Sequence, residues 1–231
     1  MAVTLPPVDQ LAQFFGFTFS ALLPLVNPLG CALVMLALVG NAPADVYREL
    51  AKSIAINTTL FLLAIQLIGT ALLKFFGISL PVMQVAGGLC LAVMGWNLLN
   101  GAEPQEPNPQ VQPALVQRPP RELLRQKVFY PFTFPITVGP GCIVVVITLS
   151  AHASAHSLLP DLAAHAGIVL AVVVLSVLVY VCYAYAPVIA ARVPADTAQG
   201  ILRVIAFFLL CIGVQIVWNG VEAMLKTVLK V

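Results

Sequence analysis

Charge is what this sequence has least of: only 9% of its 231 residues are Asp, Glu, Lys or Arg, where a soluble domain carries roughly one-quarter. With 61% hydrophobic residues and a mean hydropathy of +1.01, a soluble globular domain is excluded. Catalytic signatures are missing as well: the chain has no HExxH, no GxxxxGKS/T and no GxSxG. No Ser/His set or carboxylate pair lies deep in an apolar run, so the chain is not expected to be an enzyme. The cysteines, Cys31, Cys90, Cys142, Cys182 and Cys211, all sit in apolar runs without CxxC spacing and read as small packing residues. No cofactor or metal site is expected, and a net charge of +2 suggests no nucleic-acid partner.

The same shortage of charge leaves six long uncharged windows, 10–44, 53–73, 75–102, 128–160, 162–191 and 204–221. Each reaches the roughly 18 residues that span a bilayer as a helix. Their continuous Leu, Val, Ala and Ile runs lack the alternation of a barrel strand, so the expected fold is an all-α integral membrane protein with six transmembrane helices. The first window has no preceding Lys or Arg and is too long for a signal-peptide core, so it is read as a retained span. No Asp, Glu or Lys lies deep in any window, which disfavours a proton relay on intramembrane carboxylates.

Basic residues fall mainly on one side. Arg48, Lys52, Arg118, Arg121, Arg125, Lys127, Arg192 and Arg203 oppose Lys74, Lys226 and Lys230, which places the long middle loop in the cytoplasm and both termini outside. Residues 102–127 contain six prolines and five glutamines and read as a flexible cytoplasmic linker. It separates a first three-helix repeat, 1–101, from a second, 128–231. Phe17-Thr18-Phe19 is echoed by Phe132-Thr133-Phe134, and at an offset of 119 Asn100-Gly101 falls on Asn219-Gly220. Because three is odd, the second repeat would enter the membrane inverted, as in many secondary transporters.

Each repeat carries a helix breaker. Asn27-Pro28 combines a favoured N-cap with a residue favoured at the first helical position, and Gly139-Pro140-Gly141 can restart a helix similarly. Helices 1 and 4 are therefore expected to be broken, each restart presenting free N–H groups and a positive dipole end. Two opposed restarts would hold a carboxylate without a buried cation. The candidate substrate-binding residues are Asn27, Pro28, Gly30, Asn57, Thr137, Gly139, Pro140 and Gly141, with Arg203 and Gln215 as weaker gating or contact candidates. Against this stands the bland reading, in which the breaks are proline kinks and the polar side chains bond between helices. Gly87, Gly88 and Gly95 read as close-packing residues. His152, His156 and His165, with Asp161, read as solvated groups around an outer loop.

Four ordered motifs then carry a resemblance. Leu22-Leu23-Pro24-Leu25-Val26-Asn27-Pro28-Leu29, Phe76-Gly77-Ile78-Ser79-Leu80-Pro81 leading to Ala86-Gly87-Gly88, Pro135 with Gly139-Pro140-Gly141, and Gly213-Val214-Gln215 with Asn219-Gly220 resemble the MarC family of bacterial inner-membrane proteins. The resemblance implies a six-helix inner-membrane protein and, from related members, transport of small neutral amino acids. It also marks a departure: the family often has arginine just before the Ala-Gly-Gly of helix 3, where this chain has Gln84-Val85, whereas Arg203 is retained in the second half. The expected function is a secondary transporter or exporter of small neutral amino acids; the alternatives are a non-transporting membrane scaffold or accessory protein, or a drug efflux protein. The expected partners are the lipid bilayer and that substrate, with oligomerisation left open.

Overall fold

The computed structural model describes residues 6–40, 42–100, 121–153, 158–192 and 195–229. Among them every regular element is helical: α1 (Pro7–Val26), α2 (Pro28–Val39), α3 (Ala44–Phe75), α4 (Leu80–Asn100), α5 (Arg121–Gln126), α6 (Pro140–Ala153), α7 (Leu158–Ala184), α8 (Ala186–Arg192) and α9 (Ala195–Leu229). A coiled, irregular proline segment, Val128–Thr137, precedes α6. Five stretches are long and apolar enough to cross a membrane, one of them α1 and α2 taken together, and the proline segment with α6 makes a sixth if that bent pair is one span. The chain is thus an all-α, multi-pass protein. Most of the expected linker lies outside the described residues, but its end forms α5, where the Arg125 Nε donates to Glu49 Oε1 of α3 at 2.7 Å.

The two expected breaks are both present and differ in kind. At the first, Asn27 alone adopts a left-handed conformation, φ 42° and ψ 64°. Helical bonds run on both sides of it, from Asn27 N–H to Leu23 O at 3.0 Å and from Cys31 N–H to Asn27 O at 2.9 Å. The axis therefore continues, and only the second break bends by more than 40°, to 69°. That bend has a sequence cause. Pro131 and Pro135 lack N–H donors, and Tyr130 and Phe134 before them are extended, as residues preceding proline prefer. The segment is a tandem of aromatic-Pro-x-Thr units, and both threonines repair it: Thr133 Oγ1 donates to Val128 O at 2.8 Å and Thr137 Oγ1 to Phe132 O at 2.7 Å.

Packing joins the two sides of the middle segment to each other. The most extensive pairing is α4 with α9; α1 and α3 pack on α7, α3 and α1 on α6, α4 on α6 and α9 on α1. The α4–α9 pair is antiparallel and held by small residues. A methyl group on Gly88 would lie 2.7 Å from Gly213 O, one on Gly95 2.9 Å from Ala206 O, and one on Gly220 2.6 Å from Pro81 O. Backbone approach of this kind is how helices associate in lipid, where no hydrophobic effect draws them together. The remaining helices share a conventional core around Leu22, Met35, Tyr47, Ile54, Phe132 and Tyr183, all nearly or fully inaccessible.

Candidate functional site

The residues beside the two breaks meet. Cys31, in the first turn of α2, places its Sγ 3.1 Å from Val26 O and 3.2 Å from Ile136 O, so one thiol donor faces carbonyls from both broken spans. From the other side, a methyl group on Gly141 would stand 3.1 Å from the Leu25 side chain and collide with that of Leu91. Tyr183 of α7 closes the cluster: its hydroxyl lies 2.8 Å from Thr137 Oγ1 and also faces the Cys31 thiol. Thr137 and Tyr183 are both fully buried.

At the first break the cap forms as its residue types dictate. The Asn27 Oδ1 accepts from Gly30 N–H at 3.1 Å, with Pro28 at the first helical position. A side chain at Gly30 would strike the Asn27 carboxamide and Leu202 of α9. One of the freed donors is therefore already satisfied internally. At the second break Cys142 N–H bonds back to Gly139 O at 3.1 Å; Gly139 is half-buried, Pro140 exposed and Gly141 buried.

Two cavities lie beside this cluster, between α9 and the shared core. The larger, about 640 Å³, is bounded by α1, α2, α7 and α9 and is lined by Asn27 and Pro28 with largely apolar neighbours such as Phe19, Leu23 and Phe208. The smaller, about 470 Å³, is lined by Gln84, Thr148, Gln215 and Asn219 among others. Of the sequence candidates, Asn27 and Pro28 open onto the first and Gln215 onto the second; Gly30, Thr137, Gly139, Pro140 and Gly141 border the break cluster without lining either. Asn57 is half-buried on α3 and lines neither cavity. Arg203 is exposed on α9 and is likewise outside both.

Sequence reasoning missed Cys31, Tyr183 and Gln84 as members of this region. The available signal was polarity against an apolar background, as for Tyr183 within Val179–Tyr185, but cysteine and tyrosine pass easily for packing residues. His165 also differs from its expectation as a solvated loop group: it sits on α7, where Gln66 Nε2 of α3 donates to its backbone O at 3.1 Å. Ser150 of α6 donates to Gln66 O at 3.0 Å, so this polar node ties three helices together.

Comparison with known proteins agrees with the architecture. The model of a family described as "MarC family integral membrane protein" matches residues 12–225. Inner membrane protein MarC of Salmonella typhimurium is 26% identical over 221 residues, covering 94% of this chain and 98% of that protein. Inner membrane protein MarC of Escherichia coli is 26% identical over 226 residues, with the same coverage. No solved structure matches the chain.

Proposed function

Because the chain belongs to the MarC family of integral membrane proteins, we propose that it is an inner-membrane secondary transporter or exporter of small neutral amino acids, built as two inverted three-helix repeats with both termini outside. The observation that carries this reading is the meeting of the two broken spans, bridged by Cys31 and the Thr137–Tyr183 pair. Discontinuous helices at a repeat interface are where secondary transporters place their substrates.

The packing supports the inverted repeat. Under a two-fold exchange of the halves, α1 on α7 is the counterpart of the proline segment on α3, α2 on α7 of α6 on α3, and, span for span, the third on the fourth of the sixth on the first; all of these pairings occur. The α4–α9 pair, glycine-packed internally, would rock as one body against the core, with the cavities in the seam between them. Asn27 and Pro28 face the larger cavity, and the carboxylate would take up helix donors around the two restarts in place of internal caps.

A non-transporting scaffold draws support from one observation, the Asn27–Gly30 cap, which already occupies a donor that a carboxylate would use. Reconstitution separates the readings. Purified protein in liposomes should move labelled glycine or alanine, and Asn27→Gly and Gly139→Ala should slow that movement. Undiminished flux in both variants removes the site; no flux in the parent protein favours the scaffold.

A further inference from the structure

The smaller cavity has features that packing alone leaves unexplained. Its polar lining consists of three carboxamides from two helices, Gln84 of α4 and Gln215 and Asn219 of α9, together with Thr148 and Ser20, and contains no ionisable side chain. Gln84 is only 5% exposed. Gln215 Nε2 donates to Asn219 Oδ1 at 2.8 Å, which fixes the two amides side by side one helical turn apart. Thr148 contributes to the wall, with its hydroxyl oxygen buried.

The two cavities are also arranged in sequence. Along α1 the larger runs from Phe19 to Pro28 and beyond, while the smaller takes Phe17, Ser20 and Ala21; along α9 the larger takes Ile205, Phe208 and Ile212, while the smaller takes Ile212, Gln215, Ile216 and Asn219. Ser20 and Ile212 line both, so these two residues form the wall between successive chambers in the seam between α9 and the core.

We infer that the carboxamide cavity is a second binding station, for a small solute without net charge that hydrogen-bonds through hydroxyl, amide or zwitterionic groups, and that it opens to the membrane face opposite to the one served by the Asn27–Pro28 cavity. Neutral amides offer donors and acceptors in equal measure and pay little for burial when the incoming solute is uncharged overall; an ion would enter without a countercharge. The volume is ample for a solute of amino-acid size with its remaining water. The inference rests on the transport reading for the kind of solute, and on the cavities themselves for the station and its wall.

The test uses the full chain in sealed proteoliposomes of known orientation, in a background with the exposed Cys90 and Cys211 and the cavity-lining Cys182 replaced by alanine. Phe17→Cys in the carboxamide cavity and Leu29→Cys in the larger one are treated with a membrane-impermeant thiol reagent from one face at a time. Each should react from one face only, and the faces should be opposite. L-Serine at about ten times its dissociation constant should slow labelling of Phe17→Cys about tenfold. Gln84→Leu should abolish that protection while leaving the melting temperature and the labelling rate without serine in place. Reaction of both cysteines from the same face, reaction of neither, or absence of protection overturns the station. Serine uptake without protection removes the station and leaves transport standing; protection without uptake supports the station and removes the transport reading.

Discussion

The hydroxyls of Thr137 and Tyr183, 46 residues apart, share a 2.8 Å hydrogen bond at the point where the second broken span meets α7. Thr137 also donates to Phe132 O, so it must accept from Tyr183 if both bonds are made. Tyr183→Phe should therefore remove one neutral bond and cost about 1 kcal/mol, whereas Thr137→Val removes both the bond from the tyrosine and the bond to the Phe132 carbonyl and should cost about 2 kcal/mol or more. Thermal unfolding of the purified variants checks the order, and equal losses would mean that the backbone repair contributes nothing.

At Asn27 the left-handed backbone and the side-chain cap make separable demands. Asn27→Gly keeps the conformation and removes the cap, at a cost of a few tenths of a kcal/mol, about 0.3. Asn27→Ala removes the cap and adds about 1 kcal/mol for placing an alanine at φ 42°. Melting temperatures should fall in the order parent, Asn27→Gly, Asn27→Ala. A reversal would show that the side chain, not the backbone, sets the break.

Two glycines should respond very unequally to the same added methyl group. At Gly88 it would lie 2.7 Å from Gly213 O and from Val217 N, backbone atoms that move only if α4 and α9 separate. At Gly139 the nearest atom is Pro135 O at 3.6 Å, an ordinary contact. Gly88→Ala should destabilise by about 1–3 kcal/mol through overpacking, and Gly139→Ala by far less. Size-exclusion profiles after heating in detergent will show whether only the first aggregates.

The Arg125–Glu49 pair is exposed on both sides, so its contribution to stability should be about 0–1 kcal/mol and should fade in high salt. A double-mutant cycle with Arg125→Gln and Glu49→Gln, run in low and high salt, measures it. A coupling well above that range would make α5 an anchor rather than a surface helix.

Hydropathy and the scarcity of charge made the helical membrane fold legible, because lipid leaves the backbone few ways to satisfy its polar groups. Asn27-Pro28 and Gly139-Pro140 were legible as breaks because proline and asparagine act locally, within a turn of where they stand. The unequal angles were not, since the second bend depends on Pro131 and Pro135 upstream of the glycine that drew attention. Tyr183, Cys31 and Gln84 were not legible either. Their roles arise from which helix lies opposite, and a local pattern along one helix carries no record of its neighbour. Gly88 and Gly95 were recognisable as close-packing residues, but that their partner is α9 required the fold.

The glycine seam has a consequence for how the molecule is made. α4 ends at Asn100 and α9 begins at Ala195, so the ribosome delivers α4 to the bilayer long before its partner exists. Until then Gly88 and Gly95 offer bare backbone to lipid tails, and the first half waits as an unpaired set of spans. The α4–α9 seam therefore closes only once α9 has been made, and a chain cut short before it leaves behind an open surface shaped for a partner that never arrives.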